Sequence, residues 1–204
     1  MLKLYYAPGT CAMAAHIALE EAGADYEGIA LDFSKKQQQS PEFLAINGKA
    51  RVPVLVSDAG ALTETPAILA FIAQTHPDAR LAPLDNPFEF ARIQAFNNYL
   101  SSTVHVAHAH KLRGHRWADE PSSLEDMNRK VPENMTALMQ MIEDTMFEGP
   151  WVMGETYSIC DPYLYTIARW LKSDQVDVAM FPKIQAHMAR VEARPAVKAI
   201  LPHH

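Results

Sequence analysis

The chain has 204 residues, of which 49% are hydrophobic and 21% charged, a composition typical of a globular protein with a buried core. Its formal net charge is −6 at pH 7 and its Lys and Arg residues form no cluster, which argues against nucleic acid or an anionic membrane as a partner. The N-terminal stretch has neither a cationic leader nor an apolar signal segment, and no apolar run approaches membrane-spanning length, so we expect a cytoplasmic protein. The two cysteines exclude a disulfide framework.

The first eighty residues alternate predicted strands and helices. An apolar strand ends at Pro8-Gly9, and the apolar residues after Cys11 recur at helical spacing as far as Gly23, a residue typical of a helix end. Ser40-Pro41 predicts the start of a short helix and Thr65-Pro66 the start of a longer one. Further strands are predicted at residues 26–31, 52–56 and 61–63. The order β-α-β-α-β-β-α predicts an α/β domain with a mixed four-stranded sheet.

The second half of the chain is predicted to be entirely helical. Prolines at positions 77, 83 and 87 and a lack of periodicity predict a linker before it. Helices are predicted at residues 88–110, 124–147 behind a Ser123 cap, 159–172 and 181–194, with a short last turn from Pro195. We therefore expect an α/β domain at residues 1–77, a linker at 78–87 and an all-α domain at 88–204.

Cys11 is the first candidate for chemistry, because the strand, the Pro-Gly loop and the helix pattern put it in or just before the first helical turn. Unpaired N–H groups and the positive end of the helix dipole favour a thiolate there, so we expect the pKa of Cys11 to be lowered. A thiolate is the form that attacks disulfides and electrophiles. The alternative is a small buried apolar residue, the common fate of an isolated cysteine.

Two polar patterns mark the helical half. On its first helix, Asn98, Ser101, His105 and His108 are spaced by three and four residues and so share a face. This face offers a metal only the pair His105 and His108 without a carboxylate or thiolate, so we expect no metal. Ser158 and Asp161 have the spacing of a capping box, which favours a role in folding, with Cys160 buried and inert between them.

Six short patches carry a resemblance that spans essentially the whole chain. Together with the element order, they resemble the cytosolic glutathione transferases, and Cys11 narrows the resemblance to the bacterial beta class. The resemblance implies a thioredoxin-like first domain, a homodimer and glutathione as co-substrate. The patches are residues 8–11, 16–19, 45–47, 51–55, 62–65 and 158–161.

The resemblance also implies roles for individual residues. Val52-Pro53 is implied to be a cis peptide that turns the Val52 backbone toward a ligand, with a trans proline as the alternative. Glu64 and Thr65 are implied to hold the γ-glutamyl end of glutathione at a helix start, and Thr65 can at the same time simply cap its helix. Lys36 matches a family lysine that reaches the glycyl carboxylate.

A histidine of the class lies near the thiol, at the position of His105. There it would stabilise the Cys11 thiolate as a cation or hydrogen-bond donor; the alternative is a surface histidine with no task. Asn98 matches a class asparagine near glutathione, and Tyr6 or Thr10 could activate the thiol through a hydroxyl. The candidate catalytic residues are Cys11 and His105. The candidate glutathione-binding residues are Tyr6, Thr10, Lys36, Arg51, Val52, Pro53, Glu64, Thr65, Asn98 and His108.

The function that the resemblance implies is a glutathione transferase. It would conjugate glutathione to small hydrophobic electrophiles, perform glutathione-dependent thiol-disulfide exchange through Cys11, or do both. Two alternatives stay open: a ligand-binding protein that has kept the fold without the reaction, and a glutathione-dependent isomerase or dehalogenase for one metabolite. The chain has Asn47-Gly48-Lys49-Ala50 where the class usually has Asn-Pro-Lys-Gly, and this difference leaves the electrophile open.

Overall fold

The computed structural model describes all 204 residues, and its first part contains the predicted alternation of strands and helices. The elements in chain order are β1 (Leu2–Tyr6), α1 (Ala12–Glu21), β2 (Tyr26–Ala30), α2 (Pro41–Ile46), β3 (Val54–Ser57), β4 (Gly60–Thr63) and α3 (Thr65–Thr75). This order is the predicted β-α-β-α-β-β-α.

The four strands form one mixed sheet in the order β2-β1-β3-β4. β1 pairs in parallel with β2, with Leu4 opposite Gly28, and antiparallel with β3, with Leu4 opposite Leu55. β3 and β4 form an antiparallel hairpin in which Leu55 lies opposite Leu62. The predicted mixed four-stranded sheet is confirmed.

Local signals explain where most of these elements begin and end. The Ser40 hydroxyl accepts a hydrogen bond from the Phe43 N–H, and Pro41 occupies the first position of α2. β3 begins at Val54, two residues later than predicted, because Pro53 has no N–H to donate to the sheet. The Val52-Pro53 peptide bond is cis, as predicted.

The rest of the chain is helical, as predicted. Its α-helices are α4 (Pro87–Tyr99), α5 (His105–Arg113), α6 (Pro121–Met141), α7 (Cys160–Ala168), α8 (Pro182–Ala193) and α9 (Pro195–Ile200). A π-helical turn at Leu100–Val104 joins α4 to α5, so the predicted single helix at 88–110 is interrupted. The predicted Ser123 cap is wrong, since Glu120 occupies the N-cap and Pro121 the first position of α6.

The two halves share one hydrophobic core, in which α7 is central. All nine residues of α7 are buried, and α1 packs against it from the sheet side. The predicted capping box is present: the Asp161 carboxylate accepts hydrogen bonds from the Ser158 N–H at 2.6 Å and the Val152 N–H at 2.8 Å. Cys160 lies inside it, fully buried, as expected. None of the helices is both long enough and apolar enough to cross a membrane.

Candidate active site

A cleft of about 710 Å³ opens between the sheet half and the helical half. The sheet half lines it with the loop before α1, the loop that leads to the cis proline, and the start of α3. The helical half lines it with α5, the turn after α5, and two aromatic side chains, Tyr163 and Trp170. Four basic side chains and one acidic side chain line the cleft: Lys49, Arg51, Arg113, Arg116 and Glu64.

Cys11 lies at the floor of this cleft, at the N-cap position of α1. The loop that delivers it turns at Gly9, whose φ of +73° favours glycine. The Thr10 hydroxyl donates to the Ala7 carbonyl at 2.7 Å and accepts from the Ala12 N–H at 3.4 Å, so it is used within the loop. The predicted placement of Cys11 at the helix start is confirmed.

The predicted low pKa of Cys11 is wrong for the protein without ligand. Only 8% of Cys11 is exposed, and burial raises the pKa of its thiol. A hydrogen bond from the Thr65 side chain and the charge of Arg113 act in the opposite direction, with smaller effect. The thiol donates to the Val52 carbonyl at 3.7 Å, a contact that favours the protonated form. The helix position of Cys11 therefore does not by itself produce a thiolate.

The start of α3 faces the same cleft. Glu64 precedes it with φ of +72°, a left-handed conformation that is strained for a residue with a side chain. Its carboxylate is paired with the Lys49 ammonium at 2.5 Å, and the same ammonium donates to the Thr63 hydroxyl at 2.6 Å. One cation is thus supplied to Glu64 by the chain itself, from the Asn47-Gly48-Lys49-Ala50 segment.

Asn47 gives this segment its shape. It is 5% exposed, its side-chain amide donates to the Arg51 carbonyl at 2.8 Å, and its side-chain oxygen accepts from the Lys49 N–H at 3.1 Å. These two bonds fold the loop back on itself and fix the approach to the cis proline. The Val52 N–H that follows has no hydrogen-bond acceptor within the chain.

The helical half contributes two histidines that pack on one tryptophan. The rings of His105 and His108 lie 4.9 and 4.4 Å from the ring of Trp170, centroid to centroid. The Trp170 indole N–H donates to the Gly9 carbonyl at 3.1 Å and so ties α5 and its histidines to the loop of Cys11.

The two histidines differ in their surroundings. Burial, and next the charge of Arg113, lower the pKa of His105 to about 4, so this ring is neutral near pH 7. The cationic role considered for His105 is therefore wrong, and its role as a hydrogen-bond donor stays a prediction. His108 is held at 2.7 Å by the carboxylate of Asp174, a residue only 1% exposed, and this contact fixes the orientation of its ring.

Nine of the twelve candidate residues line the cleft: Thr10, Cys11, Arg51, Val52, Pro53, Glu64, Thr65, His105 and His108. Three do not. Tyr6 is buried in the core, where it packs against His16 and His204. Lys36 is exposed at the end of a short turn, and Asn98 is exposed on α4, outside the cleft.

Several cleft residues were missed by the sequence interpretation. Lys49 lies in the segment that departs from the class pattern, and the sequence assigns no role to it or to Arg113 and Arg116. Tyr163 and Trp170 follow the capping box, where an aromatic residue in a helix normally predicts core. Tertiary packing brings these residues into the cleft, and the one local signal is the basic run at residues 110–116, which contains Arg113 and Arg116.

The first half of the chain has a mixed four-stranded sheet and a cysteine at the start of its first helix, which is the arrangement of a thioredoxin-like domain. An all-helical half faces this cysteine across a basic cleft. The chain therefore belongs to the class of proteins that join a thioredoxin-like domain to an all-helical one. Family models of the glutathione S-transferase N-terminal and C-terminal domains match residues 1–74 and 109–203. Glutathione S-transferase GstA of Escherichia coli O157:H7 is 30% identical, over 98% of this chain and 97% of its own length. The chain belongs to the glutathione S-transferase family.

Two solved structures show how far the likeness extends. A glutathione transferase homologue from Sulfitobacter, solved with bound glutathione, is 45% identical with a TM-score of 0.95 and covers 99% of this chain and 97% of its own. A beta-class glutathione S-transferase from Sphingomonas chungbukensis is 29% identical with a TM-score of 0.85, over 98% of this chain and 97% of its own. Both likenesses extend through the sheet half and the helical half alike.

Proposed function

We propose that the protein is a glutathione transferase of beta-class type that binds glutathione in the cleft and brings its sulfur beside Cys11. The observation that carries this proposal is the meeting, in one basic cleft, of the Cys11 thiol with the start of α3 and the unpartnered Val52 N–H. Glutathione offers a matching set of groups: a thiol, a backbone-like amide, an ammonium and two carboxylates. The glutathione bound to the Sulfitobacter homologue supports the same ligand here.

Each end of glutathione has a chemically suited partner. The γ-glutamyl carboxylate would accept hydrogen bonds from the N–H groups at the start of α3, with Thr65, and the α-ammonium would face Glu64. The Val52 backbone would pair with the cysteinyl residue. The glycyl carboxylate would bind Arg51, which replaces Lys36 in that role because Lys36 lies outside the cleft. Pro53, Thr10 and His108 would shape the surrounding wall.

Two reactions are open to this arrangement. In conjugation, the glutathione thiolate attacks a carbon that carries a leaving group; a C–S bond forms, and the leaving group departs with the electron pair. In exchange, the Cys11 thiolate attacks a mixed disulfide of glutathione, forms a Cys11–glutathione disulfide and releases the other thiolate. A second glutathione thiolate then frees Cys11 and leaves as glutathione disulfide. His105 would donate a hydrogen bond to the sulfur that carries the charge.

We further propose a cytoplasmic homodimer with a detoxifying role, built from a glutathione-binding domain at residues 1–77, a linker at 78–87 and a helical domain at 88–204. The family resemblance supports these assignments. Light scattering coupled to size-exclusion chromatography would give twice the chain mass of 22.8 kDa for a dimer.

Mass spectrometry and turnover test the role of Cys11. After incubation with glutathione disulfide, the intact protein should gain one glutathione, which dithiothreitol removes. Cys11→Ala should abolish both this adduct and exchange with a glutathione mixed disulfide, whereas Cys160→Ala, which alters the other buried cysteine, should keep both. Turnover of 1-chloro-2,4-dinitrobenzene measures conjugation separately.

The alternatives give different results. Retention on glutathione resin without turnover of the chloroarene or of a mixed disulfide would favour a binding protein. Conjugation unchanged in Cys11→Ala would move the activation of the thiol to His105. The absence of retention, adduct and turnover together would refute the proposed function.

A further inference from the structure

Three arginines converge on the cleft without a counter-ion. The chain has nine arginines, and four of them form neither a salt bridge nor a side-chain hydrogen bond within the chain: Arg51, Arg80, Arg113 and Arg116. Three of these four, all except Arg80, line the cleft. Unpaired guanidinium groups are thus concentrated at the active site.

The charges of these guanidinium groups also interact with one another. Burial lowers the pKa of Arg116, and the charges of Arg51 and Arg113 lower it further, so the three cations are close enough to repel. Arg113 acts on the Cys11 thiol as well, which puts its charge within reach of the reacting sulfur. Unrelieved repulsion of this kind is removed when an anion enters the cleft, and an anion is therefore attracted to it.

Glutathione alone does not use all of this positive charge. Its two carboxylates and one ammonium give it a net charge of about −1 at neutral pH. In the proposed pose the γ-glutamyl carboxylate takes the start of α3 and the glycyl carboxylate takes Arg51, while Lys49 is already paired with Glu64. Arg113 and Arg116 are left over on the helical side, where the second substrate would lie.

We propose that the second substrate carries an anionic group, a carboxylate in the first instance, which Arg113 and Arg116 bind next to the reacting centre. This inference rests on the proposed function and names the substrate class for it. Trp117 exposes 47% of its surface beside Arg116 and also lines the cleft, so an aromatic ring that carries the carboxylate would find both a flat apolar surface and a cation. The carboxylate could belong to an electrophile or to a disulfide.

Binding of unreactive analogues tests the inference without turnover. The protein is saturated with S-methylglutathione, which fills the glutathione site, and is titrated by calorimetry with 4-methyl-3-nitrobenzoate or its neutral partner 4-methyl-3-nitrobenzamide. The benzoate should bind roughly tenfold or more tightly than the benzamide, as expected for a charge-assisted bidentate contact. Arg113→Gln and Arg116→Gln should each reduce this preference, and the double variant should abolish it, whereas Arg80→Gln, an unpaired arginine outside the cleft, should keep it.

Turnover identifies the source of the carboxylate. Turnover with glutathione is measured for two pairs of substrates, each with an anionic and a neutral member. The haloarene pair is 4-chloro-3-nitrobenzoate and 4-chloro-3-nitrobenzamide, and the disulfide pair is 3,3′-dithiodipropionate and bis(2-hydroxyethyl) disulfide. Each kcat/KM is divided by the rate of the uncatalysed reaction of the same substrate. A preference for the anionic partner that is lost in the double variant supports the inference. If this preference is found in the haloarene pair, the carboxylate belongs to an electrophile; if it is found in the disulfide pair, the carboxylate belongs to a disulfide.

Equal binding and equal corrected turnover of the anionic and neutral partners would overturn the inference while leaving glutathione transfer intact. A preference that survives in the double variant would overturn it as well. The absence of any binding of S-methylglutathione would instead refute the proposed function, and the inference with it.

Discussion

Cys11 combines a position that favours a thiolate with a burial that opposes it. The sequence predicts its place at the start of α1, since the strand, the Pro-Gly turn and the helical spacing are all local signals. The raised pKa could not be predicted, because it comes from burial in the cleft, whose walls include residues far away in the sequence such as Tyr163 and Trp170. His105 follows the same rule: its place in the cleft was foreseen, and its neutral state was not.

The balance at Cys11 leads to a prediction about its reactivity. Because burial raises the pKa of the thiol and Arg113 partly offsets this effect, Arg113→Gln should raise the pKa further. Alkylation by iodoacetamide should therefore be slow at pH 7, accelerate with pH, and be several-fold slower at pH 8 in Arg113→Gln than in the wild type. Peptide mapping by mass spectrometry measures the rate at Cys11 itself. An Arg113→Gln variant that is alkylated as fast as the wild type would show that Arg113 has no influence on the sulfur.

At the scale of single elements, the sequence predicted the helix ends that are set by the preferences of neighbouring residues. Ser40-Pro41 and Gly23 mark helix ends by their own preferences, and the structure has helix ends there. The interruption between α4 and α5 was missed, because both Ser101 and Ser102 turn their hydroxyls back onto the Asn98 carbonyl, at 3.1 and 2.8 Å, in competition with the backbone ladder. The π-helical turn shifts the helical phase, which separates Asn98 from the histidines that it was predicted to accompany.

The capping box of α7 leads to a prediction about stability. The fully buried Asp161 carboxylate accepts bonds from the Ser158 and Val152 N–H groups and contacts the His187 ring at 3.0 Å. Asp161→Ala leaves these donors unsatisfied in the core, and we expect it to lower the free energy of unfolding by about 3 to 5 kcal/mol. Ser158→Ala, which removes a 3.3 Å bond to the Cys160 N–H, should cost only about 1 kcal/mol. Urea unfolding at constant pH measures both.

Because Asp161 lies outside the cleft, folded Asp161→Ala should keep the KM for glutathione of the wild type at low temperature. A variant with wild-type stability and a raised KM would assign this carboxylate to the active site and contradict the folding role.

At the scale of the whole molecule, the charge of the cleft is opposite in sign to the net charge of the chain. The chain carries a net charge of −6, yet its cleft is lined by four basic side chains and one acidic one. The positive cleft would attract anionic ligands, while the acidic remainder of the surface would repel nucleic acid and anionic lipid. The second property is predicted from composition alone and stays a prediction. Composition could not predict the first, because Arg51 belongs to the sheet half and Arg113 and Arg116 to the helical half, and only the packing of the two halves brings them to one cleft.

Buried histidines predict how the whole fold responds to acid. Burial, as the largest cause, lowers the pKa of His16 to about 4, of His105 to about 4 and of His204 to about 3. As the pH falls below about 6.5, these histidines become protonated in the unfolded chain but not in the folded chain. Their contribution to the free energy of unfolding is therefore complete above about pH 6.5 and is lost as the pH falls towards 4. His16, which is buried, contributes up to about 1.4 kcal/mol per pH unit in this window, and the partly buried His105 and His204 contribute less because solvent screens their charge. Urea unfolding at pH 7, 6 and 5 measures the slope.

A matched pair of variants isolates one histidine from the titrating carboxylates. His16 is 4% exposed, with its Nδ1 at 3.0 Å from Nε2 of His204, and His16→Gln removes its proton uptake by the unfolded chain. The decline in unfolding free energy between pH 6 and 5 should become shallower in His16→Gln by up to about 1.4 kcal/mol per pH unit. His115→Gln, at an exposed histidine in the turn after α5, should keep the wild-type slope. If both variants follow the wild-type decline, His16 is protonated as readily in the folded chain as in the unfolded one, and its burial does not cause the acid sensitivity.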